Sequence, residues 1–317
     1  MHLPIKSDNL AVICESVFKT IITMKTIIAL LSILINFCQT SGQQNNWSDV
    51  EKILGRSGTE QTGVFKVTFP RTDLKVKVGD FSINPGLALT SWIGFLKTGN
   101  NPAGMTMDNQ VMMMGDLVLI DSEVAPVISK IISSGLGVTA IHNHLIGESP
   151  SVKYVHFSGQ GTASSLAESI KAVISVTKTP LTTKSQNSSG QTDWSKIQAV
   201  LGKGNAKDNL LQYGFPRSEK LTESGMEIPP YMGMATAVNF QMEGDRAAIT
   251  GDFVLIADEV NPVVKALTDN GIVVTALHNH MLYDNPRLFM MHFWAVSDPV
   301  KLAQGIKSAL DKTNSLK

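Results

Sequence analysis

The chain has 317 residues, of which 43% are hydrophobic and 17% charged, so it can bury a substantial core and is not globally disordered. Lysine plus arginine equal aspartate plus glutamate at 27 each, and this balance gives no basic face for nucleic acid. Both cysteines, Cys14 and Cys38, lie near the N-terminus, so a metal site in the rest of the chain must use nitrogen and oxygen ligands.

The first predicted element is a signal peptide. Lys25 precedes the apolar run from Ile27 to Ile35, which is too short for a comfortable transmembrane span. We therefore predict export to the periplasm or the extracellular space, with residues 1–42 as the signal region and Met24 as an alternative start. Lipid attachment at Cys38 is the alternative processing route, although the residue before it is bulky. No stable membrane span is expected after cleavage.

The two halves of the remaining chain have the same predicted order of elements: a helix, four strands, a helix, two strands and a helix. In the first half these are a helix at Asn46–Gly55, strands at Val64–Phe69, Leu74–Val78, Leu87–Phe95 and Val111–Ile120, a helix at Pro126–Ile132, strands at Val138–Leu145 and Val152–Phe157, and a helix at Ser165–Val176. The order predicts an α+β fold of two tandem homologous repeats, each an antiparallel or mixed sheet packed with helices. Repeat 1 covers residues 43–178, a polar linker 179–192, and repeat 2 residues 193–317.

Six of the seven histidines belong to a triplet that occurs twice. Adding 136 to the positions 142, 144 and 156 gives 278, 280 and 292, and each of these six residues is a histidine. The same offset relates Gly115-Asp116 to Gly251-Asp252. Two diverged halves have thus kept the same histidines, which is the strongest functional signal in the chain.

The spacing of each triplet suits a metal ion. His142 and His144 lie two apart and would project from one face of a strand, and a hairpin would bring His156 beside them. Three neutral imidazoles suit zinc, which leaves a fourth position open. We therefore predict a divalent metal, preferably zinc, bound by His142, His144, His156, His278, His280 and His292. A histidine and carboxylate site that binds a polar ligand without metal is the alternative, and a structural role is the third interpretation.

An acidic residue follows each histidine pair by four positions. Glu148 and Asp284 are predicted as catalytic residues, each a general base that would take a proton from a water activated by the metal. A fourth metal ligand and an orienting contact are the other roles open to them. Asp116 and Asp252 are further candidates. Glu123 is equally well explained as a stabilising charge at a helix N-terminus.

Long stretches of the chain resemble one bacterial family. Gly251-Asp252-Phe253-Val254-Leu255, Thr275 to Leu282 and Pro286 to Ala295 are similar to the LppY/LpqO family, and in the first half Phe69 to Val76 and His142 to Pro150 follow the same pattern. The resemblance covers about residues 47 to 312. It implies an exported bacterial protein with a duplicated domain, and it implies no particular activity, substrate or cofactor.

Three functions remain as hypotheses from the sequence. The first is an exported metal-dependent hydrolase acting on an envelope component, either a small molecule or a polymer. The second is a non-enzymatic carbohydrate- or peptide-binding module, and the third is a metal-trafficking protein. We expect one site in each repeat, the first more open and in contact with the ligand, with the loop at Thr98–Gln110 near its mouth. Trp294 is expected to fill space against the other repeat.

Overall fold

The computed structural model describes residues 47–98, 110–182 and 192–317. The predicted signal region, both cysteines, almost all of the loop between Thr98 and Gln110, and linker residues 183–191 lie outside these ranges. Within the described ranges no helix is both long enough and apolar enough to cross a lipid bilayer.

Repeat 1 is built on a six-stranded antiparallel sheet with helices on one face. Its elements are α1 Ser48–Leu54, β1 Thr59–Gln61, β2 Val64–Pro70, β3 Lys77–Val78, β4 Phe81–Ser82, α2 Pro85–Ala88, β5 Thr90–Lys97, β6 Gln110–Ile120, α3 Asp121–Ser133, β7 Gly137–His142, β8 Glu148–Ser149, β9 Val152–Thr162 and α4 Ala163–Ile174. The strand order is β1-β2-β5-β6-β9-β7, and β4-β3-β8 form a small second sheet.

Repeat 2 has the same architecture. Its elements are α5 Ser195–Leu201, β10 Asn205–Lys207, β11 Leu210–Pro216, β12 Thr222–Glu223, β13 Met226–Glu227, a 3-10 turn Pro230–Met232, β14 Ala235–Glu243, β15 Arg246–Leu255, α6 Ala257–Asp269, β16 Val273–His278, β17 Asp284–Asn285, β18 Phe289–Ser297 and α7 Pro299–Leu310. The strand order β10-β11-β14-β15-β18-β16 matches that of repeat 1 position by position. The predicted fold of two tandem α+β repeats is confirmed.

Several predicted boundaries differ from the structure: the strand predicted at Leu74–Val78 is only Lys77–Val78, and the strand predicted to end at Phe157 continues to Thr162. For two other boundaries a side-chain cap accounts for the difference. The strand predicted from Leu87 begins only at Thr90, because the Asn84 side chain accepts a hydrogen bond from the Gly86 backbone at 2.9 Å and starts α2. The helix predicted from Pro126 begins at Asp121, because the carboxylate of Glu123 accepts from the backbone nitrogen just before the helix.

The sheets meet face to face, with the helices on the outside. On β9, Val155 and Phe157 pack with the helices of repeat 1, whereas Tyr154 projects to the opposite face and packs with Trp294 of repeat 2. Trp294 also meets Phe81 edge-on at 6.1 Å, as expected for a residue that fills space between the repeats. The molecule is therefore layered helix–sheet–sheet–helix, and the inner faces of both sheets line one interface.

A buried arginine ties the end of β2 to α3. Arg71, which has no exposed surface, donates to the carboxylate of Glu123 at 2.7 Å and to the Val118 carbonyl. The Glu123 carboxylate also accepts from the Ile120 backbone, so the predicted role at the helix N-terminus is confirmed. Arg217 and Glu259 form the equivalent pair in repeat 2. The duplication therefore preserves structural ion pairs as well as histidines.

Candidate metal centre

Equivalent strands in the two repeats position the histidines. His142 is the last residue of β7 and His278 the last of β16, and the next histidine of each pair follows the strand end by two residues. The strand predicted at Val138–Leu145 thus ends before His144, so the prediction that His142 and His144 project from one face of a strand is wrong. The predicted pairing of the two histidine strands is confirmed, since β7 runs antiparallel to β9 with Ala140 opposite His156. His156 lies opposite Asp116 on the other neighbouring strand, as His292 lies opposite Asp252.

The two triplets form one centre rather than one site in each repeat. Three pairs of rings stack across the interface, each with one ring from each repeat: His142 on His278 at 3.6 Å, His144 on His292 at 3.8 Å, and His156 on His280 at 3.8 Å between centroids. Replacing each histidine by its equivalent in the other repeat turns the second pair into the third and the third into the second. The same replacement leaves the first pair unchanged. The approximate two-fold axis therefore passes through the stack of His142 and His278.

Each carboxylate lies beside two histidines of its own repeat. The carboxylate oxygens of Asp116 are 3.8 Å from His144 Nε2 and 3.7 Å from His156 Nε2. Those of Asp252 are 3.4 Å from His280 Nε2 and 4.0 Å from His292 Nε2. These separations exceed ordinary hydrogen-bond lengths of about 3 Å. The polar atoms converge without bonding to one another.

Nine buried polar atoms of this centre have no hydrogen-bond partner among the described residues. They are Oδ1 of both aspartates, both ring nitrogens of His142, and Nε2 of the other five histidines. In the described ranges only two other buried side-chain nitrogen or oxygen atoms lack a hydrogen-bond partner. The unpartnered polar atoms are therefore concentrated at the centre. His292 Nδ1 donates to the Gly251 carbonyl at 2.8 Å, which places the proton on Nδ1 and leaves the Nε2 lone pair free to bind a ligand.

Burial sets the protonation state of the centre. Removal from water lowers the pKa of His156 to about 3, with a further contribution from His278, and lowers that of His278 to about 4. The other four histidines are shifted in the same direction, so all six are neutral near pH 7 and offer lone pairs. Burial also raises the pKa of Asp116 to about 8 and that of Asp252 well above its usual value. Each carboxyl group lacks a nearby cation, and one can be supplied by a metal ion.

A cavity of about 410 Å³ adjoins the centre between the sheets. Both aspartates line it together with four of the histidines: His144, His156, His280 and His292. Lys66 and Trp92 of repeat 1 form part of its wall, opposite Gln212 and Asn239 of repeat 2. The Lys66 ammonium lies 4.4 Å from the ring centroids of both Trp92 and Tyr231. The cavity therefore offers a cation, amide groups and an aromatic wall beside the histidines.

The duplication seen in the structure is also that of a known family. The family model described as Domain of Unknown Function (DUF1259) matches this chain twice, over residues 48–176 and 195–312. The chain belongs to this family. Each match contains one histidine triplet and one Gly-Asp pair, so the family domain corresponds to one repeat, and the centre is assembled from two such domains.

Other comparisons add no functional information. No curated protein matches the chain. The solved structures similar to it include EtuB from Clostridium kluyveri, at 9% identity over 69% of this chain and 87% of that one with a TM-score of 0.18. They also include the trimeric bacterial microcompartment shell protein PduB, at 11% identity over 81% of this chain and 89% of that one with a TM-score of 0.19. Scores this low carry no argument about function.

The two predicted catalytic acids lie in the small sheets, outside the wall of the cavity. Glu148 accepts a hydrogen bond from the backbone of Val152, and Asp284 accepts from the backbone of Leu288 and pairs with Arg287. Each carboxylate thus stabilises the loop that follows a histidine pair, by accepting a hydrogen bond from the backbone four residues further on. Their predicted role as proton acceptors stays a prediction.

Asp116 and Asp252, which were only further candidates beside these two acids, lie in the centre. The signal was present, because the Gly-Asp pair recurs at the same offset as the histidines. For Lys66, Trp92 and Asn239 there was no comparable signal. The matched positions in the other repeat hold Gln212, Ala237 and Gly94, so repetition did not mark them.

Proposed function

We propose that this protein binds a divalent transition-metal ion, preferably zinc, at the histidine centre between its repeats. The observation that carries the proposal is the group of nine buried, unpartnered atoms. At about 1 kcal/mol each, such atoms would cost about 9 kcal/mol, which is comparable with the whole stability of a domain. A metal ion would bind the neutral imidazoles through their lone pairs and would favour the ionised form of both aspartates, whose pKa values burial raises.

The donor set fits zinc. One ligand atom from each of His142, His278, His280 and His292 lies within 4.8 Å of the others, so this group can hold an ion. Zinc bonds of about 2.0–2.1 Å separate tetrahedral ligand atoms by about 3.3 Å, so the side chains would close by about 1.5 Å on binding. The donors are imidazole nitrogens and carboxylate oxygens, which suit zinc and similar borderline ions.

We further propose that the centre hydrolyses a small polar molecule held in the cavity. A bound ion would supply a Lewis acid and lower the pKa of a coordinated water. The volume of about 410 Å³ falls in the usual range of about 300–1,000 Å³ for small-molecule sites, which favours a small substrate over an envelope polymer. Lys66, Gln212 and Asn239 would orient the substrate through one charge and two amide groups.

Glu148 is the proton acceptor we propose. It lies close enough to Tyr154 to raise the pKa of that phenol, after the larger effect of burial and that of Asp116, and the Tyr154 ring stacks on His144 at 3.3 Å. Met290 stands at the matched place in repeat 2, so Asp284 has no such neighbour. We expect Glu148→Gln to lower turnover while metal content is unchanged. Unchanged turnover would remove Glu148 from the mechanism.

We also propose that the protein is exported, as a member of the LppY/LpqO group within its family. The support is the apolar run at Ile27–Ile35 after Lys25, together with the motifs named above. Cell fractionation followed by N-terminal sequencing would test this. A mature chain that starts near residue 43 outside the cytoplasm is expected, whereas an intact N-terminus in the cytoplasm would contradict it.

A non-enzymatic binding module is the second candidate, favoured by Trp92 in the cavity wall. An aromatic ring beside amide groups is a common way to bind a sugar or peptide. The two candidates differ in metal content, which elemental analysis of protein purified without a polyhistidine tag would measure. We expect bound zinc in the wild type, a lower zinc content in His280→Ala and His292→Ala, and retention in the exposed control Asp121→Asn. No bound metal after loading with zinc, cobalt, manganese or iron(II) would refute the metal proposal.

A further inference from the structure

The centre contains two equivalent sets of ligands as well as the four-histidine group. One set is Asp116, His144 and His156, and the other is Asp252, His280 and His292. Within each set the carboxylate oxygens lie between 3.4 and 4.0 Å from the two Nε2 atoms. Two histidines and one carboxylate form a recognised ligand set for a divalent metal that keeps open positions for substrate.

These distances are those of ligands that share an ion. They are too long for hydrogen bonds, and Nε2 of all four histidines is buried without a partner. With metal–ligand bonds of about 2.0–2.2 Å, atoms bound to one ion lie about 3–3.5 Å apart. Binding of an ion would therefore draw each carboxylate and its two histidines closer together.

The histidine rings of the two sets stack on each other, His144 on His292 and His156 on His280, but each carboxylate approaches only the histidines of its own repeat. Among the described residues, neither carboxylate has an oxygen within 4.0 Å of a histidine nitrogen of the other repeat. A single ion shared by both sets would hold most of these atoms within about 3 Å of one another, as cis ligands of one octahedron. Each repeat therefore presents its own set.

Both sets open into the same cavity. All six of their residues line it, whereas His142 and His278 are absent from its wall. The stack of these two histidines lies on the approximate two-fold axis, and the His142 ring is between 5.0 and 5.5 Å from the four histidine rings of the sets. A molecule in the cavity can thus reach both sets at once, which is the arrangement of two-metal hydrolytic sites.

We propose that the centre holds two divalent ions, one bound by Asp116, His144 and His156 and the other by Asp252, His280 and His292. This inference rests on the proposed function, because it requires that metal binds at the centre. It goes further by assigning both aspartates as ligands and by setting the stoichiometry at two ions per chain. Two ions held there would together supply Lewis-acid chemistry to a substrate in the cavity that both sets line.

Metal stoichiometry tests the inference without a substrate. The untagged chain would be loaded with zinc and desalted, and the bound metal measured by mass spectrometry. We expect two equivalents in the wild type, one in Asp116→Asn, one in Asp252→Asn and none in the double variant. Asp121→Asn, an exposed aspartate five residues from Asp116, is the matched control and should keep two equivalents.

A cobalt titration of the wild type provides a second readout that does not depend on the folding of variants. The visible absorption of bound cobalt should reach its end point at two equivalents. An end point at one equivalent, unchanged by Asp116→Asn and Asp252→Asn, would overturn the two-ion inference and leave the proposed metal function intact. No bound metal in any preparation would refute both.

Discussion

The substitution Gly251→Ala should damage the fold and the centre together, because Gly251 lies where three strands and two site residues meet. On β15 it faces Val238 of β14 on one side and Phe293 of β18 on the other. Its carbonyl accepts the proton of His292 Nδ1 at 2.8 Å, and Asp252 is the next residue. A side chain at this position therefore meets the core directly.

The structure sets the size of the effect. A Cβ at position 251 would lie 2.9 Å from the carbonyl carbon of Ala237 and 2.9 Å from Phe293 Cζ, and closer still to the Ala237 oxygen. Carbon atoms pack at about 3.5–4.0 Å, so β14 and β15 would have to separate by about 0.6–1 Å. Loss of two ladder hydrogen bonds at about 1 kcal/mol each, plus about 1–3 kcal/mol for overpacking, gives about 3–5 kcal/mol.

The measurements are urea unfolding in the presence of a chelator and zinc affinity by chelator competition. Displacing the carbonyl that orients His292 should weaken zinc binding by about 10–100-fold. Gly115→Ala, the equivalent change in repeat 1, should behave similarly, since its Cβ would meet Phe157 at 2.5 Å. Gly214→Ala is the control: its Cβ would have an ordinary neighbour at 3.8 Å, and stability should stay the same or rise slightly. A Gly251→Ala protein as stable and as metal-rich as Gly214→Ala would refute the reasoning.

Two further predictions concern charged groups. Arg71→Met should lower the free energy of unfolding by about 3–5 kcal/mol in urea, because it leaves Glu123 buried without its cation; Arg246→Met removes an exposed ion pair and should cost much less. Similar losses in both variants would contradict this. Burial lowers the pKa of Lys66 to about 8 from the ordinary 10.5, so between these values the unfolded chain binds more protons and stability should rise with pH. Glutamine, the residue at the matched position 212, has no charge to bury, so Lys66→Gln should remove this rise. Below pH 8 the variant should be more stable than the wild type by about 1–2 kcal/mol, after subtracting the lost contacts of the ammonium with Trp92 and Tyr231. A wild type and Lys66→Gln with the same pH dependence would contradict that expectation.

Local sequence patterns predicted most of the sheet and helix framework. Alternating or apolar runs bounded by turn residues, at Val64–Phe69 and Val111–Ile120, identified two strands of the large sheet within one residue at each end. Helix starts were predicted less well. They depend on single hydrogen bonds from Asn84 and Glu123, and such bonds leave no periodic trace.

The candidate site also has features that the sequence predicted and features that it did not. The sequence by itself determined which residues belong to it, because His142, His144 and His156 recur 136 positions later with the Gly-Asp pair. The pairing of the two later histidine strands was assumed for the predicted site, and the structure shows it.

Only the tertiary structure decided that there is one centre instead of two. Both faces of β9 are apolar apart from the histidine, with Val155 on one side and Tyr154 on the other, so alternation cannot say which face meets helices and which meets the second repeat. The choice is made by packing between residues more than a hundred positions apart, such as Phe81 with Trp294. That packing turns the inner faces of the sheets toward each other, stacks His142 on His278, and places both aspartates at the interface, where Asp116 is buried and Asp252 remains partly exposed.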